Sequence, residues 1–287
     1  MKSKQHKKWE TWNTFISTLL TALIAFGWIG LLLSGSLAVP PAGSSAVSGG
    51  QEKKTPESRN FLLIGGSRED GIAIALLRLD TRSRMMSLSM LPPEWETEYK
   101  GRRATLNGHY SYGGARYLYE CVKETIVPAD AYAAIGKNSI AAVIDQFGGL
   151  PVHLPGGIEG ETGVFSEGVQ VLSGEDSLSL LEASEWPEGI RQKRRVQAQA
   201  VASFLNEYVT ERNVAAAYHT FPALINLVET NLSITDRETL RRLFECMTQE
   251  GRAKCAVYPI EGEYTERGGV LYFEPEESGR AVLELYR

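Results

Sequence analysis

The sequence predicts an α/β/α sandwich in which helices cover both faces of a mixed central sheet, preceded by one N-terminal transmembrane helix. Short apolar runs bounded by turn residues, beginning with 61–64 and 72–79, are typical of buried strands. Segments with helical spacing of apolar residues follow these runs along the chain, as expected for helices packed on a sheet. With 287 residues, of which 43% are hydrophobic, the chain can bury one good core or two small ones.

The N-terminal region predicts a membrane anchor. Residues 12–33 contain no charged side chain and are long enough to span a bilayer. Four lysines precede this span, so the positive-inside rule places the tail, 1–11, in the cytoplasm and the remainder of the chain outside. We therefore expect a single-pass protein of the cell membrane. A cleaved signal peptide is the alternative, although its apolar stretch is usually only about 7 to 15 residues long.

The rest of the chain is predicted to be a tether followed by one extracytoplasmic domain. Residues 34–58 are rich in Ser, Gly, Ala and Pro, which is typical of a flexible linker, and the domain covers 59–287. The formal net charge of -5 argues against broad nucleic-acid binding. The three cysteines have no CxxC spacing, and Cys246 and Cys255 could pair if the chain is exported.

Within the domain, strands and helices alternate. After two opening strands and a third that follows a turn at 80–84, helices are predicted at 115–126, 139–147, 173–181, 196–209, 221–228 and 236–247, and strands at 150–154, 256–260 and 270–273. Ser173 is the expected N-cap of the third helix, because a Ser side chain accepts a hydrogen bond from the exposed N–H groups there. Apolar residues around Leu62, Leu76, Leu88 and Phe204 are expected to border a long apolar cleft.

The break after the first strand is a candidate phosphate loop. Gly65, Gly66 and Ser67 would let backbone N–H groups approach an anion, and Arg68 adds a guanidinium that binds phosphate through two nitrogens. An ordinary surface turn explains the same residues, because short glycine motifs are weak signals.

A second candidate anion site lies near the start of the helix that follows 185–195. Arg191 and Arg194 are three residues apart and share one helix face, and the helix dipole near its start also favours an anion. Arg195 extends this basic segment. The alternative is a solvated basic face beside Glu185 and Glu188.

Several motifs occur in a fixed order along the chain. They are the strand and loop at 61–67, the strand and turn at 76–80, Met-Leu-Pro-Pro-Glu at 90–94, Thr-Leu-Asn at 105–107, Tyr-Ser-Tyr-Gly-Gly at 110–114, Phe-Gly-Gly-Leu at 147–150, Leu-Ser-Gly-Glu at 172–175 and Val-Glu-Thr-Asn-Leu-Ser at 228–233. In this order the sequence resembles the LytR–CpsA–Psr family of membrane-anchored envelope proteins, over about residues 59 to 233.

The resemblance implies a function. The family's pocket holds a polyprenyl pyrophosphate, and its activity transfers a lipid-linked glycopolymer to peptidoglycan with the help of Mg²⁺ and arginines. Carried over by motif, Arg191 and Arg194 are the expected catalytic residues. The expected substrate-binding residues are Arg68, Asn107, Glu188 and Arg195. The expected partners are the lipid carrier, peptidoglycan or another cell-wall polymer, and the membrane, but not nucleic acid.

The sequence departs from the family in its catalytic machinery. The family's Arg-Ser-Asp falls on 70–72, where the sequence is Asp-Gly-Ile, and Pro93 replaces an arginine. The family's Arg-Tyr-Arg falls on Glu-Ala-Ser at 182–184. Asp70 and Glu94 could form a relocated metal site, since magnesium prefers carboxylate oxygens, but Mg²⁺ binding is expected to be weak or absent.

Three hypotheses follow. The first is a transferase of a polyprenyl-pyrophosphate-linked glycopolymer whose catalytic residues are eroded. The second is a non-catalytic protein that binds an envelope lipid, a polymer or a partner protein, because fold kinship does not establish activity. An intracellular regulator is the third, and it conflicts with the predicted membrane span.

Overall fold

The structure is a computed structural model that describes residues 56–68, 71–183, 185–225 and 228–287. Its strands are β1 (Ser58–Ser67), β2 (Gly71–Asp80), β3 (Met85–Leu91), β4 (Glu96–Tyr99), β5 (Arg102–Thr105), β6 (Ala131–Ile135), β7 (Leu150–Leu154), β8 (Ile158–Gly160), β9 (Gly163–Phe165), β10 (Gly168–Leu172), β11 (Glu229–Thr230), β12 (Cys255–Val257), β13 (Gly262–Arg267) and β14 (Val270–Pro275). Its α-helices are α1 (Leu106–Thr125), α2 (Lys137–Gln146), α3 (Gly174–Glu182), α4 (Gly189–Tyr208), α5 (Glu211–Leu224), α6 (Arg237–Met247) and α7 (Glu277–Leu283).

The predicted tail at 1–11 and the predicted span at 12–33 lie outside the described residues, as does most of the linker at 34–58. Within the described ranges, every helix is too short or too polar to cross a bilayer.

A mixed six-stranded sheet forms the centre of the domain. Its strand order is β11-β6-β1-β2-β3-β12. Strand β2 pairs antiparallel with β1 and β3, β6 runs parallel to β1, and β12 runs parallel to β3. Successive side chains along each strand point to opposite faces of the sheet. Each face therefore carries its own set of apolar residues.

Helices cover both faces of this sheet. On one face, β1 and β2 contribute Leu62, Ile74 and Leu76 to a buried cluster with α1 and the C-terminal Tyr286. On the other face, Leu77, Leu79 and Leu88 pack in a second cluster against α4 and α6. The predicted α/β/α arrangement with a mixed central sheet is therefore confirmed.

A third apolar cluster builds a smaller lobe beside the sandwich. It joins α2, α3, the antiparallel pair β7–β10, the hairpin β8–β9 and the second face of α4. Helix α4 thus lies between two cores, with Ala198 and Ala202 in one and Val196 and Ala200 in the other. This position fixes the start of α4, which carries the candidate arginines.

The expectation of a loop after the first strand is wrong. Gly65 and Gly66 do not form a loop, because both lie in β1 and pair with Ala73 and Ile72 of β2. Gly66 has a φ of 123°, and a Cβ there would meet the carbonyl oxygen of Gly71, so this position requires glycine for close strand pairing.

The predicted apolar cleft is also wrong at the named positions. Leu62 and Leu76 are fully buried in the cluster against α1, whereas Leu88 is fully buried on the opposite face. Phe204 packs against the third cluster. These residues cannot border one cleft, because they belong to different cores.

The three cysteines are free in the structure. Cys246 and Cys255 therefore do not form the bond that was considered for an exported chain. Burial raises the pKa of the Cys255 thiol to about 12, which keeps it in the unreactive thiol form.

Candidate anion-binding site

The candidate arginines lie in the first two turns of α4. The helix begins at Gly189, seven residues before its predicted start, and Gly189 has a φ of 70°. The side chain of Gln192 accepts a hydrogen bond from the backbone N–H of Glu188 at 2.9 Å and so closes this end of the helix. Arg191, Arg194 and Arg195 are therefore helical residues close to the positive end of the helix dipole.

Arg194 is held by a largely buried ion pair. Its Nη2 donates to Oε1 of Glu94 at 2.7 Å, and its Nη1 donates to Oε1 of Gln197 at 2.9 Å. The Arg194 and Glu94 side chains are only 15% and 19% exposed. Glu94 Oε2 and Arg194 Nε have no hydrogen-bond partner among the described residues, although both atoms are buried.

Two further side chains shape the electrostatics of this pair. Burial raises the pKa of Tyr264 to about 12, against the opposing effect of the nearby Arg194. Burial also lowers the pKa of Lys193, and the charge of Arg194 lowers it further. Lys193 Nζ donates to the carbonyl oxygen of Ala183 at 2.9 Å, which ties the start of α4 to the end of α3.

The other two arginines form exposed ion pairs. Arg191 Nη2 donates to Oε1 of Glu263 at 2.9 Å and to the carbonyl oxygen of Gly262 at 3.0 Å. Arg195 Nη2 donates to Oε2 of Glu188 at 2.6 Å. All four charged side chains in these pairs are more than half exposed. Exposed pairs contribute about 0 to 1 kcal/mol, so a phosphate can replace either carboxylate at little cost.

Asn107 lies beside the segment that carries Glu94. Its backbone N–H donates to the carbonyl oxygen of Pro93 at 2.9 Å, in the first turn of α1. The N-cap of this helix is Thr105, whose hydroxyl accepts from the N–H of Gly108 at 3.1 Å. The structure thus brings Asn107, Glu94 and Arg194 into one connected region.

Arg68 lies elsewhere, at the end of β1. Its side chain is exposed and makes no hydrogen bond or ion pair that involves a described residue. It lies against a kink in α1, where a Cβ on Gly114 would be 3.0 Å from Nη2 of Arg68. No described contact joins Arg68 to the arginines of α4, so its substrate-binding role stays a prediction.

The structure describes only one of the two residues of the predicted magnesium site. Asp70 lies outside them, so the predicted pairing of Asp70 with Glu94 stays a prediction. One oxygen of Glu94 is engaged by Arg194. Within the described ranges, no group of three or more His, Cys, Asp or Glu side chains lies close enough to hold a metal.

Arg194 begins an otherwise apolar strip along α4. Ala198, Val201 and Leu205 follow it at four, seven and eleven residues, which places all four on one helix face. Val201 and Leu205 remain partly exposed where they pack against the sheet, as do Leu63 and Ala73 on the strands opposite and Phe221 on α5. At 1.5 Å per residue the strip is about 16 Å long. A cationic helix start joined to an apolar strip suits a ligand with an anionic head and an apolar chain.

Fold and site together define an α/β/α domain with a cluster of three arginines at a helix start. The chain belongs to the LytR_cpsA_psr family, whose model matches residues 50–283.

Named relatives agree with this assignment. The chain is 23% identical over 228 residues to the polyisoprenyl-teichoic acid–peptidoglycan teichoic acid transferase TagU of Bacillus licheniformis, covering 76% of this chain and 73% of TagU. It is 23% identical over 244 residues to TagV of Bacillus subtilis, a transferase of the same description, covering 78% of this chain and 62% of TagV. The crystal structure of B. subtilis TagV superposes with a TM-score of 0.61 at 20% identity, covering 80% of this chain and 97% of that one, which supports the fold.

Sequence reasoning missed several residues of the site. Tyr264 and Glu263 come from a C-terminal hairpin that was predicted only in part. Gln197 lies within the helix predicted at 196–209, where no site residue was expected. Lys193 was also missed, although its position between Arg191 and Arg194 was a visible signal in the sequence.

Proposed function

We propose that this protein is a membrane-anchored, extracytoplasmic member of its family that binds a polyisoprenyl-linked glycopolymer and takes part in its transfer to peptidoglycan. The observation that carries the proposal is the single face of α4 on which Arg194 is followed by Ala198, Val201 and Leu205. The names of TagU and TagV supply the classes of donor and acceptor.

The proposed site divides the work between its arginines. Arg191 and Arg195 exchange their exposed carboxylate partners for the oxygens of a pyrophosphate. Arg194 keeps Glu94 and holds the start of α4 against the sheet, while its charge adds to the local positive potential. The isoprenyl chain lies on the strip, where burial of apolar surface yields about 25 cal/mol per Å².

The proposed transfer is a displacement at phosphorus. An acceptor hydroxyl attacks the phosphorus that carries the polymer, and a new P–O bond forms as the bridging P–O bond of the pyrophosphate breaks. Polyisoprenyl monophosphate leaves with the bridging oxygen, and the hydroxyl proton passes to water. Arginines suit this step because their planar, permanently charged guanidinium groups neutralise charge on several oxygens.

A non-catalytic binding protein is the second candidate. It is favoured by the positions at which the family's arginines are replaced, namely Pro93 and residues 182–184. In that case the same residues hold the lipid-linked polymer and release no product.

Calorimetry on the full-length chain in detergent tests the proposal, with a short-chain polyisoprenyl pyrophosphate as the probe. The double variant Arg191→Ala/Arg195→Ala should weaken binding roughly a hundredfold or more, because each of the two charge-assisted contacts is worth about 1.5 to 3 kcal/mol. Arg82→Ala is the matched control, since Arg82 also forms an exposed pair, at 2.6 Å from Glu57.

Equal affinity in the double variant and the control would refute the arginine site. Mass spectrometry then separates the two candidates on a polymer-linked donor, incubated with and without a glycan acceptor. Release of polyisoprenyl monophosphate only in the presence of the acceptor supports transfer. Tight binding without release supports the non-catalytic protein.

A further inference from the structure

A cleft opens beside the candidate anion-binding site, on the far side of the hairpin β13–β14. It has a volume of about 860 Å³ and lies between this hairpin, the hairpin β4–β5 and α7. We call it the hairpin cleft. None of the residues predicted from the sequence to form the site lines it, and the proposed donor site does not use it.

The lining of the hairpin cleft combines flat rings with paired polar groups. Arg267 stacks on the ring of Tyr272, with its guanidinium carbon 3.9 Å from the ring centroid. Glu96 lies between two guanidinium groups, 2.8 Å from Nη2 of Arg103 and 3.6 Å from Nη2 of Arg267. Trp95 adds a second large aromatic ring to the wall. A sugar ring presents C–H groups on its face and hydroxyls around its edge, and each hydroxyl can donate to a carboxylate while it accepts from a guanidinium.

The charges of the lining cancel. Four arginines and four glutamates line the hairpin cleft, so their formal charges sum to zero. A polyanion gains no net attraction from such a surface. The lining therefore favours an uncharged glycan over a phosphate-rich polymer.

Two segments of the chain, residues 94–95 and the hairpin β13–β14, border both the hairpin cleft and the candidate anion-binding site. Trp95 of the cleft directly follows Glu94, the partner of Arg194. The backbone N–H of Phe273 in β14 donates to the carbonyl oxygen of Glu94 at 3.0 Å. In β13, Tyr264 lies near Arg194, whereas its neighbour Thr265 lines the cleft. A polymer in the cleft would therefore end close to the arginines.

We infer that the hairpin cleft binds the glycan strand of the acceptor and brings a hydroxyl of its terminal sugar towards the anion-binding site. This inference rests on the proposed function for the identity of the polymer as acceptor. Its own content is the class of ligand, an uncharged sugar chain, and its location.

Binding of chitotetraose to the full-length chain in detergent tests the inference, measured by calorimetry. Arg267→Ala/Tyr272→Ala should weaken binding at least tenfold, because it removes both members of the stacked pair. The matched control is Arg237→Ala/Tyr218→Ala, a stacked pair at 4.3 Å on α5 and α6, which should bind as the natural protein does. Arg267→Glu, a single change at a side chain that is 56% exposed, repeats the test with less risk to folding.

Three outcomes overturn the inference: unchanged affinity in both cleft variants, an equal loss in the control, or equally tight binding of a glycerol phosphate hexamer. A transfer assay separates the inference from the proposed function. If transfer occurs, the cleft variants should raise the KM for chitotetraose and leave kcat unchanged, and an unchanged KM would refute the cleft alone. If transfer is absent but chitotetraose binding still falls in the cleft variants, the cleft stands and the transferase proposal fails.

Discussion

Arg194 and Glu94 are 100 residues apart in the chain and meet at 2.7 Å, with only 15% and 19% of their side chains exposed. This pair joins the start of α4 to the segment after β3. The other two arginine pairs in this region are more than half exposed. Arg194 therefore combines a structural role with its place in the candidate anion-binding site.

The first prediction concerns stability. Arg194→Ala should lower the free energy of unfolding by about 3 kcal/mol, because it leaves the Glu94 carboxylate buried without its cation. Arg195→Ala, which breaks an exposed pair, should cost less than about 1 kcal/mol. Urea unfolding measures both. Replacement of both partners, as Arg194→Met/Glu94→Leu, should recover most of the loss, and a double variant no better than Arg194→Ala would contradict this account.

How much of this site was predictable differs from residue to residue. The strand at 150–154 and the Ser173 cap are confirmed, because both depend on neighbours a few residues away. Arg191 and Arg194 were also chosen on local grounds, from their helical spacing. Their partners could not be predicted on local grounds, since Glu263 lies 72 residues from Arg191 and Glu94 lies 100 residues from Arg194. Such pairings depend on how the elements pack.

The errors have physical causes as well. Gly65 and Gly66 resemble a loop in sequence, but their pairing with β2 makes them part of a strand. A helix was predicted at 221–228, where Pro222 would suit a helix start. In the structure α5 covers Glu211–Leu224, so Pro222 lies in its last turn.

The second prediction concerns metal removal. Affinity for the short-chain polyisoprenyl pyrophosphate should change less than about threefold when EDTA is added. A metal held mainly by its substrate still needs one or two protein carboxylates. Arg194 already engages the Glu94 carboxylate in this region. Calorimetry with and without Mg²⁺ measures this. A collapse of affinity in EDTA would support the site of Asp70 and Glu94 instead. Asp70→Asn should then reproduce that loss.

The third prediction concerns acid stability. Burial raises the pKa of Asp236, but hydrogen bonds from the backbone and hydroxyl of Ser233 and from Arg59 outweigh it, so the pKa falls below its ordinary value of 3.8. A lowered carboxyl pKa stabilises the folded state above the unfolded pKa, and this contribution is lost as the pH falls through the folded value. Asp236→Asn should therefore destabilise the protein at pH 7, and the difference should shrink as the pH falls through the lowered pKa of Asp236. Urea unfolding at several pH values measures the difference in free energy of unfolding between the variant and the natural protein. A difference that stays constant with pH would contradict this prediction.

The last prediction tests the apolar strip of α4. If the isoprenyl chain lies along Val201 and Leu205, each added isoprene unit should tighten binding of the pyrophosphate until the strip of about 16 Å is covered. Leu205→Ser should flatten this dependence on chain length and leave the affinity for inorganic pyrophosphate unchanged, since it removes apolar contact but no charge. Leu285→Ser is the matched control, because Leu285 is 41% exposed and does not belong to the strip. Calorimetry with C5, C10 and C15 pyrophosphates gives the slope for each variant. A Leu205→Ser slope equal to that of the control would place the lipid chain elsewhere.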